Sequence, residues 1–236
     1  MLNPNCEKNY NAIALSLSKI GKNEKAIQYL NKSHDINKKN PTTHFNLGVI
    51  FFNQKKWLKS AKYFNNAIKI KPYFPDAHYY LGRISYNNSN FDKALIHFKR
   101  CIQQKKDHDD SFHEMGNSLR NLGRLKDAIF YYKTALEINP DRIDSNHCLG
   151  LTFYGLNQFD KGKKIFKDIL MNNHFDYFAK RNIAIGQMNM GYIEDAINTL
   201  VEVIPNLPDC STSLSCLLGL SAFEKEINSN KILNKL

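Results

Sequence analysis

Along this chain apolar positions recur at the spacing of one helix face, in paired stretches joined by short polar turns such as Lys22-Asn23, Ser89-Asn90 and Gly123-Arg124. The pattern predicts helix-turn-helix units. Each unit is 34 residues long, and six copies run without insertion or deletion from Glu7 to Cys210. Small residues hold one fixed offset: Ala14, Gly48, Gly82, Gly116, Gly150 and Ala184. A second small ladder follows twelve residues later, at Ala26, Ser60, Ala94, Ala128, Gly162 and Ala196. Large apolar residues come four further on, at Leu30, Phe64, Phe98, Tyr132, Phe166 and Leu200. Small residues suit a helix crossing where backbones approach closely, and the large ones fill the volume beside it. No such unit can bury its apolar face alone, so the expected architecture is an all-α solenoid of stacked repeats.

The punctuation agrees with this division. Gly21, Gly123 and Gly191 share one offset in the turn, as expected for a helix C-cap with positive φ. Pro72, Pro140 and Pro208 close three units at a common position, where a helix must stop. The segment FHEMGNSLRNLGRLKDAIFYYKTALEINP, Phe112 to Pro140, combines all of these features. On these residues the chain resembles the tetratricopeptide repeat (TPR) family over almost its full length. The resemblance implies a right-handed α-solenoid of antiparallel helix pairs, a TPR-like superhelix, with repeats at 7–40, 41–74, 75–108, 109–142, 143–176 and 177–210. Two departures stand out. Gly162 should weaken its helix by about 1 kcal/mol relative to alanine, and repeats one, three and five lack the closing proline.

The ends follow the same register. Leu2 to Pro4 match the closing turn Ile138 to Pro140, so residues 1–6 read as the remnant of a preceding repeat. This register fits either a drifted start or a segment of a longer array. Residues 211–236 read as a degenerate seventh repeat or capping helices, and Ile232, Leu233 and Leu236 make that end apolar enough to contact another domain or chain. These two ends motivate one alternative function, the recognition arm of a larger or neighbouring enzyme of glycosyltransferase or sulfotransferase type.

Composition narrows the classes. No stretch approaches the ~20 apolar residues of a membrane span, and MLNPNCEKNY lacks the pattern of a secretory signal. The five cysteines are widely spaced, without a Cys-x-x-Cys pair, which points to a reducing compartment such as the cytosol. The net charge of +11 is uneven: repeats one to three carry +4, +6 and +3, whereas repeats four to six carry −1, 0 and −2. In repeat two, Lys55, Lys56, Lys59, Lys62, Lys69 and Lys71 all fall in the turn or the second helix. In a TPR-like stack that helix lies on the outer face. A nucleic-acid groove needs its positive charge on the lining, so this placement argues against nucleic acid in the groove and leaves a basic convex face as the alternative route to it.

By resemblance, the groove is lined from repeat positions 2, 5, 6, 9, 12 and 13. The candidates for a peptide-binding groove are Phe45, Asn46, Phe52, Tyr79, Tyr80, Arg83, Tyr86, His113, Asn117, Arg120, His147 and Tyr154. Aromatic anchors beside arginine and asparagine suit an extended peptide, with large contact area and hydrogen bonds to its backbone. The carboxylate clamp of chaperone-tail adaptors is absent, because His113 and Asn117 are followed by Cys148, and then by Phe178 and Asn182. Asp76, Asp110 and Asp144 recur near helix starts, where a carboxylate favours the helix N-terminus. No phosphate loop, nucleophile elbow or paired catalytic carboxylates occurs at motif spacing. The expectation is a non-catalytic interaction scaffold that binds a protein or peptide partner and needs neither cofactor nor metal.

Overall fold

A computed structural model describes residues 6–206. Among them are twelve α-helices, a short 3-10 turn (Ile204–Asn206) and no strand. The helices are α1 (Glu7–Lys19), α2 (Asn23–Ile36), α3 (Pro41–Asn53), α4 (Trp57–Ile70), α5 (Pro75–Asn87) and α6 (Phe91–Gln104). They continue as α7 (Asp109–Asn121), α8 (Leu125–Ile138), α9 (Ile143–Gly155), α10 (Phe159–Asn172), α11 (Tyr177–Asn189) and α12 (Ile193–Val203). The odd-numbered helices therefore begin at the interval of the sequence repeat. None is long and apolar enough to cross a membrane. The remnant expected before Cys6, the closing Pro208 and the cap expected at 211–236 lie outside the described residues.

Local chemistry accounts for the helix ends. Pro41 and Pro75 open α3 and α5, where a missing N–H costs nothing. The Asn40 side chain accepts from the Thr42 and Thr43 amides at 2.9 and 3.3 Å, and Asp176 accepts from the Ala179 amide at 2.9 Å. Asp76, Asp110 and Asp144 stand in the first turns of α5, α7 and α9, as their spacing predicts. Pro72 and Pro140 follow two residues after the ends of α4 and α8. The turn offset adopts positive φ in every repeat: Gly21, Gly123 and Gly191 do so at 77°, 73° and 84°, and Lys55, Ser89 and Asn157 at 57°, 58° and 58°. The left-handed turn is thus a property of the repeat, and three repeats make it without glycine.

Up to Leu122 the described residues form one compact unit, and from Gly123 a second. In the N-terminal unit the rings of Phe64 and Phe98 are fully buried. A Cβ built on Gly48 would lie 2.6 Å from the Phe64 ring, and one on Gly82 would lie 2.5 Å from that of Phe98. The ring occupies the space that an alanine methyl would need. Where the large residue is the smaller Leu30, its partner is Ala14. Burial of each such side chain contributes about 1.5–3 kcal/mol. A buried polar cluster joins the first two repeats: Asn11 Nδ2 donates to Ser33 Oγ at 2.8 Å and Thr43 Oγ1 at 3.0 Å, while Asn46 Nδ2 donates to Asn11 Oδ1 at 3.1 Å.

The C-terminal unit repeats the scheme with one change. A Cβ built on Gly150 would lie 2.6 Å from the Phe166 ring, and Ala184 lies beside Leu200 in one apolar cluster. Gly162, however, stands where repeat two has Ser60. Here Tyr154 fills the crossing, and a Cβ on Gly162 would come within 2.3 Å of its ring and 2.8 Å of the Gly150 carbonyl oxygen. A Cβ on Gly186 would meet the Tyr154 hydroxyl oxygen at 2.4 Å. Gly162 has a packing reason that helix propensity alone does not supply.

Candidate peptide-binding face

Helices α3, α5 and α7 bring seven of the twelve candidate residues into a continuous set of side-chain contacts in the N-terminal unit. Phe45 is half-buried, its ring centroid 4.9 Å from Phe74 in a stacked arrangement and 5.7 Å from Tyr80. Tyr80 stacks on Phe64 at 5.0 Å and meets Phe52 edge-on at 5.0 Å. The Arg83 guanidinium lies 4.9 Å from the Phe52 ring centroid and 5.6 Å from that of Tyr79. Such cation–π contacts stabilise by about 0.5–1 kcal/mol at exposed sites and more when desolvated.

Electrostatics continue the chain onto α7. Arg83 Nε is 3.9 Å from Glu114 Oε1, with side chains 38% and 17% exposed. An ion pair this open and this long contributes at most about 1 kcal/mol, so its role is orientation. Asn117 Nδ2 donates to Glu114 Oε2 at 3.2 Å and lies 3.0 Å from His113 Nε2. At the end of α5, Tyr86 packs edge-on against Phe91, and its hydroxyl accepts from Asn121 Nδ2 at 3.0 Å. Burial pushes the Tyr79 hydroxyl well above its ordinary pKa; Arg83 opposes that, and Asp110 and Glu114 reinforce it. Burial raises Tyr80 in the same way. Both phenols stay protonated through the neutral range and can donate a hydrogen bond.

The remaining candidates are placed differently. Asn46 is tied to Asn11 and so belongs to the buried polar cluster. Arg120 is half-buried, with its Nε buried and unpartnered. In the C-terminal unit, His147 Nε2 is 3.0 Å from Asp176 Oδ2, and its ring rests on Phe166 at 5.8 Å. Tyr154 is only 7% exposed, packed against Phe159 and Phe166, and its hydroxyl is buried without a partner. Burial pushes that hydroxyl's pKa up to about 12. Phe52 and His113 are likewise buried, at 7% and 6%. Phe52, His113 and Tyr154 therefore serve packing, and the other nine candidates are half-buried. Sequence reasoning missed Asn11, at the same repeat offset as Phe45, and the support given by Phe74 and Trp57. Among the described residues, no group of three or more His, Cys, Asp or Glu could hold a metal ion.

Tetratricopeptide repeat models match residues 7–40, 75–108 and 110–142. The chain is a tetratricopeptide repeat protein. None of the curated proteins matches it. Among solved structures, this TPR chain is similar to PilF of Pseudomonas aeruginosa, with a TM-score of 0.78 at 12% identity over 90% of this chain and 96% of that one. It is also similar to YrrB, described as a TPR protein with an unusual peptide-binding site, with a TM-score of 0.62 at 18% identity over 75% and 91%. Against the Cut9–Hcn1 assembly of the APC/C the TM-score is 0.75 at 15% identity, over 93% of this chain and 44% of that one. At these identities the similarity concerns the fold.

Proposed function

We propose that this TPR protein is a non-catalytic scaffold whose α3–α5–α7 face holds an extended peptide segment of a partner protein. The observation that carries this reading is Arg83. Its half-exposed guanidinium is held by the rings of Phe52 and Tyr79 and oriented by Glu114. A guanidinium fixed in this way loses little further freedom on binding, so its N–H groups are ready donors for a peptide carbonyl or carboxylate. Tyr79, Tyr80 and Tyr86 add rigid contact area around it, and Asn117 adds an amide. TPR proteins bind protein partners, and the peptide-binding site described for YrrB is consistent with this use of the fold. The free thiols of Cys6, Cys101 and Cys148 suit a reducing compartment such as the cytosol.

The test is selection of peptides from a random displayed library on the purified chain, followed by binding to the Tyr79→Ala/Arg83→Ala/Asn117→Ala variant. Selected peptides should bind the wild type and lose about tenfold or more in affinity to the variant, with its helical content unchanged. Peptides that bind both proteins equally well would refute the proposed face.

A further inference from the structure

A second candidate site lies away from the aromatic face, in a cleft of about 320 Å³ walled by α2 and α4 and floored by α3. Lys59 and Lys62 project from α4, one helical turn apart, and His34 and Asn31 face them from α2. His44 and Leu47 of α3 form the floor beside the Tyr63 ring. No carboxylate lines this cleft.

Three observations point to an anionic ligand. The first is a pair of orphaned nitrogens: Nδ1 of His34 and Nδ1 of His44 are both buried without a hydrogen-bond partner. The His44 ring is 6% exposed, and its Nε2 is already engaged at 3.1 Å with the Lys38 carbonyl. The two rings meet edge-on at 5.1 Å. Buried polar atoms without partners are rare in native proteins and call for an explanation. The second is placement of charge. Lys59, which lines the cleft, has its Nζ 4.2 Å from the Phe51 ring centroid, a contact that restrains an otherwise mobile ammonium. The third is a contrast with the C-terminal unit. There a cleft of about 390 Å³ against α9 and α10 is lined by Asp141, Asp168 and three asparagines, and it carries no lysine, arginine or histidine. The repeat therefore does not impose cationic clefts.

We propose that the α2–α3–α4 cleft binds a phosphate monoester with an apolar or aromatic body. Two ammonium groups and the Asn31 and Asn66 amides, joined by Nδ1–H of each imidazole in its doubly protonated form, present more donors than a carboxylate can use, and they suit the three terminal oxygens of a phosphoryl group. Leu47 and the Tyr63 ring provide an apolar surface for the organic part. This site is independent of the aromatic face, so either proposal can fail without the other.

The experiment is titration of the full chain with phenyl phosphate, followed through the histidine Cε1–H resonances. Saturable shifts of His34 and His44 are expected, together with competition by inorganic phosphate and markedly weaker binding of benzoate. Lys59→Glu/Lys62→Glu changes two exposed side chains and should weaken binding by roughly tenfold or more with helical content retained. A phosphotyrosine peptide that binds tighter than phenyl phosphate would assign the ligand to a protein, and equal affinity would assign it to a small molecule. Absence of saturable shifts, undiminished affinity in the charge-reversed variant, or benzoate binding as well as phenyl phosphate would overturn the proposal. So would oligonucleotide binding that leaves both histidine resonances unmoved while phenyl phosphate shows no saturation.

Discussion

Repeats two and five solve the same crossing in opposite ways. In α3–α4, Ser60 occupies the second small position, donates its hydroxyl to the Gly48 carbonyl at 2.8 Å, and leaves Phe64 to cover Gly48. In α9–α10, Gly162 stands at that position because Tyr154 has moved into the space, reaching as far as Gly186. The residue at the Tyr154 offset in repeat two, Phe52, lies instead between Trp57 and Tyr80 with Arg83 over its ring. Both rings are buried, but one repeat packs its large aromatic beneath Arg83, and the other packs it into the helix crossing. A ladder position therefore fixes a residue's place on its helix, while its neighbours decide what that residue does.

The sharpest way to break this comparison is Gly162→Ala. Helix propensity alone expects a gain of about 1 kcal/mol. The 2.3 Å approach to a buried ring instead predicts a loss of about 1–3 kcal/mol, measurable by urea denaturation. Adding Tyr154→Leu, which vacates the space, should recover part of that loss; a stabilised single variant would show that Tyr154 does not occupy the crossing.

A smaller effect is expected at the turn offset, where Lys55 holds φ 57° and Gly123 holds 73°. A non-glycine residue costs about 1 kcal/mol in that region. Lys55→Gly should raise stability by about 1 kcal/mol and Gly123→Ala should lower it by about as much. Equal thermal midpoints for wild type and both variants would remove the left-handed turn as a common requirement.

The third expectation concerns acid. Burial, with His78, Arg100 and Lys93 nearby, lowers the His97 pKa from 6.5 to about 4, and burial also lowers that of His78. The unfolded chain takes up a proton near pH 6.5 that the folded chain refuses until about pH 4. Stability should therefore be unaffected by this group above pH 6.5 and fall as pH drops through that window. His97→Gln should flatten the acid limb of a stability profile. An identical profile in the variant would assign the acid sensitivity elsewhere.

Much of the fold was legible in the sequence. Strict spacing of small and large residues gave helix positions, turn offsets and the pairing of Gly48 with Phe64, because these depend on helical period and on which side chains can share one crossing. The candidate face was legible in part. Tyr79, Tyr80 and Arg83 do come together with Glu114 and Asn117, since repeat offsets on neighbouring first helices are adjacent. Phe52, His113 and Tyr154 satisfy the same offsets and yet are buried, because burial depends on how much room the next helix leaves. Asn11 escaped notice because its role exists only once Ser33, Thr43 and Asn46 are brought to it.

By itself the sequence determined the repeat period, the turn offsets and the uneven distribution of charge, all of which follow from short-range spacing and composition. Only the tertiary structure decided that Tyr154 is a core residue, that Gly162 is sterically required, and that His34 and His44 meet beside two lysines. Those facts depend on side chains from different helices sharing a few ångströms of space, which no single helical period encodes.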